Sequence, residues 1–432
     1  MAEAPEQFDR SFAAAMASLS FDLPQSRAAL DQLPHSPAVF ALFGAEAHAE
    51  PYIGRTPNLR ARLERLLLPS EKHPRRLQLA GRVRTIRYRL TGSEFESLLV
   101  QFNLLENFYG PKCLERMHLG APSFVRFFGS NRYPRLAVTN RPSQKEAEWA
   151  YGPFVSRLAA DRFVEETLKL FELRRCSEDL EPHPEHPGCV YSEMKMCLAP
   201  CFGGCSDERY AQESAAVERF LATRGDSRLV ELKAARDEAS AQLEFEVAAS
   251  LHALVQKTEA VQSLAPELVQ PLSQLRALVL QPSAEVDEVA IFLFAEGKLR
   301  GPAAFSTLGM RIQNENSGSS SLFAQPVALE PVLEAAASAA PEKAARGVLE
   351  ARMDAVLSAL AEGEADSAEQ RQGHLALLRR WYYRPENKRL GEIFFAAPDG
   401  QWPIKAILRG VGRIAAKSML IPASRPVVEN QA

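Results

Sequence analysis

Apolar residues recur along this chain at two spacings. Short continuous runs at 38–43 and 85–90 predict buried strands, while Leu59, Leu63, Leu66 and Leu67 between them fall at helical spacing. A helix is expected over 94–108, so the first third reads as a small mixed sheet with helices. Further strands are expected at 123–128 and 136–138, followed by a helix around 154–170. Residues 176–205 are rich in Pro and Cys and read as loop. The stretch 207–264 reads as helix almost throughout, broken near Gly225. Glu296-Gly297 marks a turn between strands at 288–294 and 299–305. Composition makes 314–321 a flexible linker. Ala-rich helices then extend to about Tyr383, a strand pair flanks a hairpin turn at Asp399-Gly400, and Gly410-Val411-Gly412 reads as a turn into a terminal helix. Residues 1–30, also Ala-rich, are expected to be helical.

At 432 residues, with 46% apolar and 24% charged, the chain has the make-up of a multi-domain globular protein. Coiled-coil, collagen and disordered classes are excluded. No run approaches the roughly 18 apolar residues of a membrane span, and Glu3, Glu6 and Asp9 stand where a signal peptide would be basic. We therefore expect a cytoplasmic protein with no membrane partner.

Net charge is only −3, yet it is unevenly spread. Between Arg55 and Arg89 lie eleven basic residues, including Arg60, Arg62, Arg65, Arg75 and Arg76, against Glu64 and Glu71. Solvated charged faces usually mix signs, so a local excess of +9 points to a polyanion and makes Arg60, Arg65, Arg75 and Arg76 candidate DNA contacts.

In the same region, Leu33-Pro34-His35-Ser36-Pro37-Ala38-Val39-Phe40 precedes Tyr52-Ile53-Gly54-Arg55-Thr56-Pro57-Asn58-Leu59-Arg60-Ala61-Arg62. A hairpin would bring Phe40 beside Tyr52, and a helix from Asn58 would aim Arg62 at the same cleft. A phenol and a guanidinium suit attack on a phosphodiester. These two segments resemble the signature of GIY-YIG endonucleases, in the version carried by UvrC, the incision subunit of bacterial nucleotide excision repair. The resemblance implies that Tyr52 activates water and that Arg62 stabilises the transition state.

It also implies a divalent-metal glutamate on the following helix. There the family pattern stands as Glu96-Ser97-Leu98-Leu99-Val100-Gln101-Phe102-Asn103-Leu104-Leu105, with Gln101 at the metal position. An amide removes the charge that Mg²⁺ or Mn²⁺ favours. At 100° per residue, Glu96 and Glu106 point away, and Glu94 shares the face but sits roughly 10 Å along the axis. Phe40 replaces a tyrosine and Leu114 an asparagine, and Ala38 and Arg55 replace the usual glycine and lysine, Arg55 keeping the charge. A degenerate nuclease cleft is expected.

Six cysteines in a reducing compartment favour metal over disulfides. Cys176, Cys189, Cys197 and Cys201 lack the paired C-x2-C knuckles of common zinc ribbons. The surrounding Phe171-Glu172-Leu173-Arg174-Arg175-Cys176 and Met196-Cys197-Leu198-Ala199-Pro200-Cys201 again resemble UvrC, as does Tyr151-Gly152-Pro153-Phe154. That resemblance implies a 4Fe–4S cluster on those four thiols, and four thiolates also suit zinc. Cys205 reads as a spare thiol and Cys113 as a small buried hydrophobe.

Residues 229–255 read as two amphipathic helices with a reversal near 243–246. An ordinary helical hairpin would fit this pattern, but 239–251 resembles the UVR motif through which UvrC meets UvrB. Phe245, Leu243 and Leu251 are the apolar candidates for that contact, and UvrA would be an indirect partner.

After residue 265 only 286–305 resembles the family, and the ribonuclease-H-like second nuclease has no counterpart in the pattern. Taken together, a multi-domain α/β fold is expected. It would comprise an N-terminal extension (1–30), a GIY-YIG α/β domain (31–120), a cysteine-rich metal-binding region (121–206), a helical region with the UVR hairpin (207–265) and a C-terminal α+β region (266–432). The implied function is a UvrC-like repair component that binds DNA and UvrB with an impaired cleft. The alternatives are an active metal-dependent endonuclease making one 3′-side incision, and a non-catalytic adaptor.

Overall fold

The computed structural model describes residues 16–21, 27–46, 50–68, 79–140, 142, 149–178, 180–308, 310, 341–362 and 368–420. Three four-stranded antiparallel sheets organise them. The first sheet has the order β1-β4-β2-β3, from β1 (Ala17–Ser20), β2 (Ala38–Phe43), β3 (Tyr52–Thr56) and β4 (Thr85–Leu90). Its β2 is apolar at every position because helices cover both faces, which is why it lacks alternation. Phe40 and Leu42 face helix α1 (Leu59–Leu67), whereas Val39 faces helix α2 (Glu94–Tyr109).

Each helix is started by its own sequence. The Asn58 side chain caps α1 by accepting from the Ala61 amide at 3.0 Å. Leu59, Leu63, Leu66 and Leu67 are all buried against the sheet. At α2, Ser93 Oγ accepts from the Glu96 amide, and Glu96 in return accepts from the Gly92 amide at 2.8 Å.

Helix α2 is buried on two sides. Val100 and Leu104 pack on Val39 and Ile53, while Phe95, Leu98, Leu99, Phe102 and Leu105 enter a core shared with the third sheet. That sheet has the order β11-β10-β9-β12, from β9 (Ala277–Pro282), β10 (Glu288–Ala295), β11 (Lys298–Ser306) and β12 (Glu392–Phe395). Helices α7 (Pro341–Ala361), α8 (Ala368–Tyr382) and α9 (Ile404–Leu420) complete this part. The Phe95 ring lies edge-on to Phe292 at 5.1 Å and 5.2 Å from Trp381. Helix α2 thus joins the N-terminal sheet to the C-terminal third.

The second sheet, β6-β5-β7-β8, comprises β5 (Ser123–Phe127), β6 (Leu136–Thr139), β7 (Ala150–Phe154) and β8 (Gln270–Pro271). Helix α3 (Arg157–Thr167) and helix α4 (Asp207–Ala222) pack on it through Phe163, Tyr210, Val217 and Phe220. Helices α5 (Asp226–Ala241) and α6 (Phe245–Ser263) form a hairpin, closed by Leu229, Leu232, Leu251, Leu254 and Val255.

Several expectations need correction. Part of 1–30 is strand, not helix: β1 joins the sheet by backbone pairing with β4, with mostly exposed side chains that give no hydrophobic signal. The helix expected from 154 begins at Arg157, and β7 precedes it; this strand contains Gly152-Pro153, which reads locally as a breaker. The hairpin at Asp399-Gly400 does not form. The lone strand β12 pairs instead with β9, far away in sequence. Gly410 and Gly412 lie inside α9, which already begins at Ile404. A Cβ on Gly410 would meet Phe394 Cζ at 2.7 Å, so this glycine serves close helix–sheet approach and not a turn. The linker expected at 314–321 lies outside the described residues.

Candidate functional site

Tyr52 sits on the edge strand β3, and Arg62 projects from α1. The Arg62 Nη2 donates to Tyr52 Oη at 3.2 Å, so the structure brings these two candidates together. The turn between their elements is fixed by Thr56, whose Oγ1 donates to the Asn58 carbonyl at 2.9 Å and accepts from the Asn58 amide. Asn58 Nδ2 in turn lies 3.1 Å from His35 Nδ1. Phe40 pairs across the strands with Gly54, two pairs along from Leu42–Tyr52, and its ring centroid is 6.2 Å from that of Tyr52. It is fully buried, and a Cβ on Gly54 would meet its Cζ at 2.9 Å. Phe40 is therefore a packing surface under the cleft.

Arg55 lies on the other face of β3, because side chains alternate along a strand. There Arg55 Nη1 donates to Glu94 Oε1 at 3.0 Å. Arg384, which follows α8, adds two bonds to the same carboxylate, at 2.6 and 2.7 Å. Hydrogen bonding from Arg384, reinforced by Arg55, holds the Glu94 carboxyl down at about 2, against the opposing effect of partial burial. Sequence reasoning considered Glu94 as a metal ligand and missed Arg384, which lies outside every motif. Gln101 is half-buried on α2, between buried Val100 and buried Phe102. Phe102 is fixed by the C-terminal part, with its ring 5.1 Å from that of His374 and tight against Gly373. The other acid on this helix, Glu96, is buried beside Arg89 and the Gly92 amide, and burial pushes its pKa up.

The basic window is partly neutralised. Arg60 pairs with Asp31 and Glu64, Arg55 with Glu94, and Arg89 with Glu96. Arg65, Arg82 and Arg84 are exposed. Arg75 and Arg76 lie outside the described residues. A second basic and aromatic surface went unnoticed in sequence: the guanidinium groups of Arg126 and Arg135 sit 3.9 and 4.2 Å from the Phe128 ring centre. They come from either side of the β5–β6 connection, and only the fold makes them neighbours.

Cys176, Cys189, Cys197 and Cys201 line one small cavity of about 20 Å³. Arg174 is buried beside it, with Nη1 on Cys176 Sγ at 3.5 Å and on the Glu178 carbonyl at 2.7 Å, and Nε on the Tyr133 carbonyl. The Ala199 amide donates to Cys197 Sγ at 3.3 Å. Burial pushes the Cys197 thiol up to about 11, and the other three thiols add to the shift. No three His, Cys, Asp or Glu side chains among the described residues converge on a single metal-ion position. Cys205 packs at the edge of the second core, and Cys113 is buried in the shared core. Residues 124–220 match the UvrC/Cho excinuclease middle domain.

This UvrC-like segment thus contains the four-thiol pocket, strands β5, β6 and β7 of the second sheet and most of α4. Over longer stretches the chain is 30% identical to the UvrABC system protein C of Alcanivorax borkumensis, covering 52% of this chain and 37% of that protein. It is 29% identical to the protein of the same name from Ectopseudomonas mendocina (57% and 39%) and 26% identical to that of Dehalococcoides mccartyi (65% and 46%). The chain spans less than half the length of these UvrC relatives. No solved structure matches it.

The helical hairpin exposes the residues expected at a partner surface. Leu243, at φ +61 in the reversal, and Phe245, at the start of α6, are 71% and 66% exposed. Leu251 behaves differently, packing between the two helices. It supports the hairpin from within. No helix among the described residues is long and apolar enough to cross a membrane.

Proposed function

We propose that this protein is a UvrC-like component of nucleotide excision repair. It binds DNA through its N-terminal basic surface and binds UvrB through the hairpin tip. Its GIY-YIG cleft retains Tyr52 and Arg62 but lacks the carboxylate that holds a catalytic metal. The observation that carries this reading is the state of α2: Gln101 is neutral, and Glu94 is already held by Arg55 and Arg384. Residues in this arrangement do not fit a tightly bound Mg²⁺ or Mn²⁺, which prefers free anionic oxygen. Arg62 still polarises the Tyr52 hydroxyl and can neutralise a phosphate, so binding survives the loss of cleavage.

The thiol pocket fits a 4Fe–4S cluster by its donor set. Four cysteines line it, and buried Arg174 offsets thiolate charge beside Cys176. Such a cluster would supply a rigid cross-link and a one-electron couple. Zinc on the same thiols is the alternative.

The deciding experiment is strand cleavage of a lesion-containing duplex by this protein with UvrA, UvrB, ATP and Mg²⁺ or Mn²⁺. No nick is expected from protein that still binds UvrB and DNA. A 3′-side nick abolished by Arg62→Ala would establish instead the active-endonuclease reading, which the intact Tyr52–Arg62 pair favours. Failure to bind DNA at low salt would leave the adaptor.

A further inference from the structure

The C-terminal part contributes more than Arg384. Where the loop at 118–120, the residue after β7 and the end of α8 converge, they enclose a cavity of about 280 Å³ lined by His118, Val155, Arg379, Arg380 and Tyr383. Arg379 reaches across it. Its guanidinium donates to the carbonyls of Gly120 at 3.1 Å, Val155 at 3.3 Å and Ala121 at 3.5 Å. These acceptors orient the cation without cancelling its charge. Neither Arg379 nor Arg380 forms a salt bridge among the described residues. Burial holds the Arg379 pKa below the ordinary guanidinium value, with no carboxylate opposing it. A half-buried, oriented guanidinium with no carboxylate partner keeps donors and charge available to an anion.

We propose that this cavity binds a backbone phosphate of duplex DNA, extending the DNA-binding surface from the nuclease-like sheet onto the C-terminal part. The inference rests on the DNA-binding function proposed above. Arg379 presents its remaining donor edge, Arg380 supplies the second charge, and the fixed fork of a guanidinium matches phosphate oxygens. Tyr383 has its hydroxyl committed to the Pro153 carbonyl at 3.0 Å, so it offers its ring as a wall. At about 280 Å³ the space exceeds a bare phosphate and admits a phosphodiester with part of its sugar. Beyond the cavity, Arg384 lies four residues after Arg380 and shares Glu94 with Arg55, which leaves one net positive charge on the face of β3 opposite Tyr52.

The test is the salt dependence of binding of the full chain to a short fluorescent duplex, measured by anisotropy for the parent, Arg380→Ala, Arg379→Lys and Arg65→Ala. The Arg379→Lys variant keeps the charge and loses the fork, and melting temperatures confirm that each variant folds. Arg380→Ala should weaken binding about threefold to tenfold at low salt and reduce the slope of log K against log salt by about 1. Arg379→Lys should weaken it less. If Arg380→Ala superimposes on the parent while Arg65→Ala weakens binding, the cavity is not a DNA site and the DNA-binding function stands. If the parent binds no duplex at low salt, both fall. Inorganic phosphate distinguishes the remaining source: protection of the parent against heat, lost in Arg380→Ala, with DNA binding unchanged, would assign a free-anion site and overturn the DNA assignment.

Discussion

Arg384 closes on Glu94 with two hydrogen bonds, of 2.6 and 2.7 Å, between residues 290 positions apart in the chain. Glu94 opens the helix that carries Gln101, so the C-terminal part fixes the end of that helix. The pair is partly exposed, at 26% and 42% of the two side chains, and salt screens it accordingly.

The Glu94–Arg384 contact predicts a specific pH dependence. Its carboxyl is lowered from 4.5 to about 2, so its stabilisation is complete above the unfolded value and is lost as pH falls through about 2. Glu94→Gln should lower the melting temperature at pH 7, and the deficit should shrink between pH 4.5 and 2. Added salt should reduce it too. A deficit that is constant across that range would show that the charge is not responsible.

Gln101→Glu should restore an anionic ligand at the metal position of the cleft. Isothermal titration with Mn²⁺ should detect a site that the parent lacks, and nicking of a lesion duplex should appear only in the variant. Adding Arg62→Ala to it should abolish nicking while leaving Mn²⁺ uptake.

Iron content and visible absorbance of anaerobically purified protein test the thiol pocket. Serine at Cys176, Cys189, Cys197 or Cys201 should remove the chromophore, whereas Cys113→Ser and Cys205→Ser should retain it. Stoichiometric zinc without a chromophore would transfer the same four residues to a zinc site.

Close backbone approach at Gly92 predicts a large effect from one methyl group. A Cβ there would meet the Ser283 carbonyl carbon at 2.2 Å and the Pro282 oxygen at 2.4 Å, neither of which can rotate away. Gly92→Ala should cost about 1–3 kcal/mol in denaturant unfolding. An unchanged midpoint would mean that the first and third sheets are not held together at this turn.

Phe245→Asp should abolish capture by UvrB at an unchanged melting temperature, because the ring is largely exposed. Leu251→Asp should lower both, since that side chain packs within the hairpin.

Much of this protein is written locally. The strands at 38–43 and 85–90 and helices α1 and α2 follow from runs and spacings within a few residues, and the Asn58 and Ser93 caps follow from single side chains. The Tyr52–Arg62 contact was legible as well, because a short hairpin and the next helix leave little freedom in where those residues meet. Tertiary structure decided whatever depends on a partner distant in the chain. Strands β1 and β12 exist by pairing to β4 and β9, not by their own apolar pattern. Gly410 of α9 serves packing against β12, which no local turn rule contains. Glu94 and Arg384 read separately as surface charges, as does Arg379 before the carbonyls of Gly120, Ala121 and Val155 surround it. Periodicity and capping are interactions over one or two turns, so sequence spacing encodes them. Ion pairs and cavities arise where separate elements meet, and only the packed core sets those distances.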